Sequence, residues 1–198
     1  MGEVYRVRGD ADEARRWYDR ALKLFGDGNH VGRSFYQRGL GDLALARGDH
    51  IAARRHFLVS HQEAGTINHD WQLIYALSGL ARAALMAGAR REARTYLVEA
   101  LRTALEKDHL GGLASSILRG VVEYWLVNDH SAANRLGALI LAHPLTWRET
   151  RRDVARLMGI AYTEATPPKP PMFDLRPVAN EILLKLGAEA AATSGIPA

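Results

Sequence analysis

The chain has 198 residues, 47 % of them hydrophobic and 24 % charged, with a formal net charge of +4; that suffices for a sizeable core and is ordinary for a globular protein. It holds no cysteine, which excludes a disulfide framework, a thiol nucleophile and a thiolate-bound metal. No run of 18 apolar residues occurs, so no transmembrane helix is expected, and the opening residues lack the apolar stretch of a signal segment. A cytoplasmic location fits these features.

Periodicity and stop signals predict helices and turns only. A short helix spans Met1 to Arg8, followed by Ala11 to Phe25, His30 to Arg47, His50 to Ala64, Asp70 to Ala87, Arg90 to Lys107, Leu113 to Val127 and Ser131 to Ala142. Pro144 breaks the chain, and a helix resumes from Thr146 to Thr163. Pro167, Pro168, Pro170 and Pro171 favour an extended polyproline spacer. A last helix is expected from about Pro177 to Leu186, with a loose small-residue tail over 191–198.

The helices are punctuated at regular spacing. Gly9-Asp10, Gly48-Asp49, Gly88-Ala89 and Asn128-Asp129 recur at a nearly constant interval of about 40 positions. A left-handed Gly or Asn ends one helix, and Asp accepts from the free N–H groups of the next. Asp10 with Glu13 reads as a capping box. Gly26, Gly65 and Gly111-Gly112 fall between these marks and separate one helix pair from the next. Aligned on the turn, Ala14, Ala53, Ala93 and Ala133 share one position, and Tyr18, Phe57, Leu97 and Gly137 another. Gly2, Gly41, Ala81 and Val121 share a third, so that small residues let helices approach and large ones fill the gap.

This grammar resembles the tetratricopeptide repeat family. Leu40-Gly41 with Ala53-x-x-x-Phe57 and Ser60 carries the resemblance best, and Gly2-x-x-Tyr5 with Ala14-x-x-x-Tyr18 and Ala21 follows. The resemblance implies an all-α, right-handed superhelical solenoid of antiparallel helix pairs with repeats over 1–164; the residues beyond it place a Pro-rich linker over 165–174 and a capping helix over 175–190. The period of about 40 exceeds the family's usual length of roughly 34; it also suits HEAT or armadillo repeats, which lack the Gly turn and the Ala-x-x-x-aromatic pattern. Long degenerate repeats of this kind look similar to the sensor arrays of bacterial STAND-type and MalT-like regulators. No phosphate-loop motif accompanies them here. Met1 stands where the family has a leucine midway along a first helix, so the chain reads as a C-terminal piece of a larger protein. Self-association through that incomplete first repeat is expected.

Catalytic and metal chemistry find no support in the spacing. The eight histidines form no His-x-x-x-His pair, and His50, His56 and His61 do not share a helix face. Ser115-Ser116 has no assignable base. The basic residues, 22 Arg and 4 Lys, are interleaved with 22 acids, which argues against direct nucleic-acid binding. No cofactor is expected.

The resemblance places first helices along a concave groove. The positions facing it are Phe35, Arg38, Asp42 and Leu45 in the second repeat, Tyr75, Ser78, Arg82 and Leu85 in the third, and Ser115, Leu118, Val122 and Trp125 in the fourth. Aromatic rings beside arginines suit a peptide or helix carrying an acidic group. The expected function is non-catalytic recognition of a protein or peptide ligand, with a small-molecule inducer as the other ligand class, in the sensing region of a regulator. A constitutive scaffold is the competing reading.

Overall fold

The computed structural model describes residues 1–26, 28–161 and 174–194. Helices are the only regular structure among them: α1 Gly2–Arg8, α2 Ala11–Phe25, α3 His30–Ala46, α4 His50–Thr66, α5 Asp70–Met86 and α6 Arg90–Glu106. Then come α7 Leu110–Gly112, a π-helical turn Leu113–Ile117, α8 Leu118–Trp125, α9 His130–Ala142, α10 Arg148–Leu157 and α11 Arg176–Ser194. The chain is an all-α, tetratricopeptide-like array of helix pairs. It divides into two compact units, Met1–Tyr96 and Leu97–Ala198.

The period has a simple origin. Helices α3, α4, α5 and α6 are each 17 residues long, and the turns that follow them are of equal length. Helix plus turn is therefore a constant unit, and two such units make the full period. Gly9, Gly48 and Gly88 are left-handed with φ of 84°, 77° and 72°. After each, the next N–H reaches back past its ordinary helical partner: Asp10 to Tyr5, Asp49 to Ala44 and Ala89 to Ala84. This is the Schellman closure of a helix C-terminus.

Several sequence expectations are corrected here. Asn128 is not left-handed, and Asp129 N–H donates to Trp125 O, one residue nearer than in the other turns; the fourth turn belongs to a different class. Between pairs the breakers are Asn68 and Asp108, with φ of 50° and 53°, not Gly65 or Gly111-Gly112, which lie inside α4 and α7. Asn and Asp tolerate this region better than other non-glycine residues. The capping box at Asp10 is half formed. Its carboxylate accepts from Glu13 N–H at 3.1 Å, but its own N–H is taken by Tyr5, and the Glu13 carboxylate turns to Arg16. Asn29, Asp49, His69 and Asp129 cap α3, α4, α5 and α9 in the same way.

In the first unit the core is built from rings seated on glycines. Phe57, 1 % exposed, lies where Cβ atoms on Gly41 and Gly79 would come within 2.8 and 2.4 Å of its ring. Tyr18 lies likewise against Gly2 and Gly39, at 2.4 and 2.7 Å. Each ring of a second helix is thus clasped by the first helix of its own pair and of the next. Ala14 and Ala53 are fully buried beside them. Ser34 and Ser60 tie α3 to α4, each hydroxyl donating to the other's carbonyl at 3.1 and 3.0 Å.

In the second unit Leu97 packs on Gly120, and Ala93's counterpart Ala133 is fully buried. The helix expected over Leu113 to Val127 starts earlier, at Leu110, and carries the π turn. That turn fits α10: Thr150 Oγ1 donates to Ser115 O at 2.6 Å. The helix expected over Thr146 to Thr163 is shorter, Arg148–Leu157, because left-handed Gly159 ends it at φ 67°. The last helix runs to Ser194, beyond the expected Leu186. Leu175 just before it, and Ala179, Ile182 and Leu186 within it, form a buried stripe at helical spacing. The four prolines from Pro167 to Pro171 lie outside the described residues.

Candidate functional site

The site in the first unit follows from the repeat register. Phe35 and Tyr75 occupy the same repeat position on α3 and α5, and Glu3, Asp42 and Arg82 share another on α1, α3 and α5. Arg38 stands one turn before Asp42. The register therefore brings rings together with rings and charges with charges.

Arg38 is the centre. Its guanidinium carbon lies 5.7 Å from the Phe35 ring centroid and 5.5 Å from that of Tyr75, within cation–π range. Its Nη2 is 3.8 Å from Glu3 Oε1 and its Nη1 is 3.8 Å from Asp42 Oδ2. Arg82 Nη1 stands 3.9 Å from Asp42 Oδ1. The result is a ladder, Glu3–Arg38–Asp42–Arg82, crossing three first helices. The Arg38 side chain is only 14 % exposed, and its Nε is buried without an acceptor.

Aromatic rings extend the face. Trp71 stacks obliquely on Tyr75 with centroids 5.3 Å apart, and Phe35 meets His69 edge-on at 5.9 Å. At the other end Glu3 takes two bonds from Arg6, at 3.0 and 2.9 Å, and one from the Tyr18 hydroxyl. Burial opposes ionisation of Glu3, but Arg38, Arg6 and Tyr18 outweigh it and hold the carboxyl below its ordinary range. Burial and the adjacent Glu3 charge push the Tyr18 phenol well up.

Phe35, Arg38, Asp42, Tyr75 and Arg82 are thus gathered in one place. Ser78 is not at a surface: it is 1 % exposed, and its hydroxyl donates to Ile74 O at 3.0 Å. Leu45 belongs to the core around Phe57. Glu3, Arg6, His69 and Trp71 were missed by sequence reasoning. Glu3 carried a signal, standing one repeat before Asp42; Trp71 carried only its helical spacing from Tyr75. Because Arg38 bridges two carboxylates, its removal also bears on stability.

In the second unit Ser115 and Trp125 serve packing contacts. The Ser115 hydroxyl donates to Leu145 O at 3.1 Å. Trp125 Nε1 donates to Glu189 Oε1 at 3.1 Å, Tyr124 donates to the other Glu189 oxygen at 2.9 Å, and Lys185 Nζ stands 4.6 Å from the Trp125 ring. Leu118 and Val122 are fully buried. Helix α11 is held on the end of α8 by these groups and by a Lys185–Asp129 pair.

Among the described residues no group of three His, Cys, Asp or Glu side chains is placed to hold a metal ion, and no helix is long and apolar enough to cross a membrane. No curated protein and no solved structure matches the chain. Residues 1–62, which contain α1 to α3 and most of α4, match the family model of the tetratricopeptide repeat. That family's repeats are in general protein-interaction modules, and the chain carries a tetratricopeptide-like repeat region.

Proposed function

We propose that the first unit is a non-catalytic recognition module that holds a protein or peptide ligand on the face formed by α1, α3 and α5. The ladder centred on Arg38 carries this reading. It joins four charged side chains and two aromatic rings in a preformed arrangement, and charged groups ordered in advance cost less to engage. Arginine beside exposed aromatic surface is also the composition enriched where binding energy concentrates. Phe35, at 38 % exposure, and the half-buried Trp71 supply the apolar anchor. The long degenerate repeats support a place in the ligand-sensing region of a larger signalling or transcription regulator.

Peptide display against the full chain tests the reading. Enriched peptides should pair a large apolar residue with an acid, and Arg82→Ala should weaken them by about 1–3 kcal/mol in calorimetry. Alanine at Arg54 and Arg55 on α4 should leave them unchanged, since Arg54 is already engaged by Glu92 at 3.0 Å on an exposed surface. Loss of binding from that doublet with Arg82 silent moves the ligand to the outer face and defeats the assignment.

A further inference from the structure

A cavity of about 520 Å³ opens between α1, α2 and α3, within the first unit. Its size is that of a small-molecule site, in the range of roughly 300–1,000 Å³. Its walls are apolar and aromatic: Trp17, Ala21, Phe25, Val31 and Tyr36 among them. Leu24, Phe25 and Val31, which rim it, are 82 %, 51 % and 37 % exposed. Its charged lining residues are Glu3, Arg20 and Arg38.

The charges along its wall do not cancel. Of the charged residues that line the cavity, two are arginines, Arg20 and Arg38, and one is a carboxylate, Glu3. Glu3 already accepts from Arg6 and Tyr18 within hydrogen-bond range. The ion pairs of Arg38 are looser: both are at 3.8 Å, beyond hydrogen-bond range, and its buried Nε has no acceptor. Arg20 lies over the Trp17 ring at 5.3 Å and is exposed at the mouth. A largely buried guanidinium with unused donors in the wall of an apolar cavity is an arrangement that an anionic amphiphile completes.

We propose that this cavity binds an apolar monocarboxylate, its alkyl body among Trp17, Ala21, Phe25 and Val31 and its carboxylate on Arg38, with Arg20 at the entrance. A carboxylate there lowers the local excess of positive charge, whereas an ammonium head raises it. The site goes beyond peptide recognition. It shares Phe35 and Arg38 with that face but needs no peptide, so either test can fail without the other.

Decanoate, kept below its micelle concentration, is the probe, and decanol is its neutral partner of equal chain length. Titration calorimetry on the full chain should show decanoate binding at 1:1, at least about tenfold tighter than decanol, with a change in Trp17 emission. Arg38→Gln should erase that preference, and Arg38→Lys should restore part of it. Ala21→Phe fills the cavity without touching the ladder and should abolish binding of both probes. That variant decides the matter even where Arg38→Gln does not fold. Equal affinity for decanol, or decanoate binding that survives Ala21→Phe, overturns the proposal. So does a dimer whose contact covers the cavity and which decanoate cannot dissociate, since the occupant is then a second copy.

Discussion

A phenyl ring seated between two glycines leaves no room for change at any of the three residues. Phe57 is 1 % exposed, so Phe57→Ala removes a buried ring and should cost about 3–5 kcal/mol. Gly79→Ala acts from the other side. Its methyl would stand 2.4 Å from the ring, and overpacking of this kind costs about 1–3 kcal/mol. The two positions share one volume, so Phe57→Leu combined with Gly79→Ala should cost less than the sum of the single changes. Urea denaturation of the parent chain, Phe57→Leu, Gly79→Ala and the double variant measures this. Strict additivity would mean that the ring and the glycine do not constrain one another.

At the scale of the element, the turns separate into two classes with opposite expectations. Gly48 is left-handed, so Gly48→Val should destabilise by about 1 kcal/mol or more. Asn128 is not left-handed, and glycine there only loosens the unfolded chain; Asn128→Gly should destabilise by about 0.4–1 kcal/mol rather than help. A stabilising Asn128→Gly in thermal denaturation would put the fourth turn back with the others. The docking of α11 has its own probe. Glu189 accepts from both Tyr124 and Trp125, and charged acceptors of this type contribute about 1.5–3 kcal/mol each at most. Glu189→Ala should therefore raise amide exchange along α11 and shift Trp125 emission, while exchange in α3 and α4 stays unchanged.

Helices were legible because their punctuation is local. A glycine at the end of an apolar period and an Asp after it act within one turn of chain, and the buried alanines repeat with them. The ladder was half legible: Arg38 and Asp42 are one turn apart on one helix, and Phe35 and Tyr75 differ by one period. Glu3 was overlooked because its role depends on α1 lying beside α3, which so short a helix does not announce. The π turn at Leu113–Ile117 depends on a contact between distant segments, Ser115 with Thr150, whereas the early end of α10 follows from left-handed Gly159. The cavity needs three helices at once, and no spacing in the sequence encodes it.

For the whole molecule, acid should act in two stages. Burial, with Arg55 and Arg15 nearby, holds the His56 imidazole below its ordinary 6.5. The unfolded chain therefore takes up that proton first, and the stability it gives is present above about pH 6.5 and lost as pH falls from there through the folded value. The carboxyls follow. A hydrogen bond from Arg54 holds Glu92 down, Lys185 holds Asp129 down, and the Arg176 N–H holds Asp174 down, while Glu3 is held by its arginines despite burial. Their stability is present above ordinary values of 4.5 for Glu and 3.8 for Asp, and is lost below them. Apart from Glu3 these groups lie at the surface within reach of water, so each contribution is small. Melting temperature should fall in two steps as the pH is lowered from about 8 to about 3, and His56→Gln should remove only the upper step. A single step near pH 4 in the parent chain would show that His56 is not held neutral.

The shared rings also govern how such an array can change length. Tyr18 is clasped by Gly2 and Gly39, and Phe57 by Gly41 and Gly79, so each ring belongs to two successive pairs. An in-frame duplication of one full period, such as 41–80, returns every ring to a glycine on either side. A gain or loss of the family's shorter usual repeat, or of one helix with its turn, sets a ring against a side chain instead. Growth and shortening of this region are therefore quantised in whole pairs.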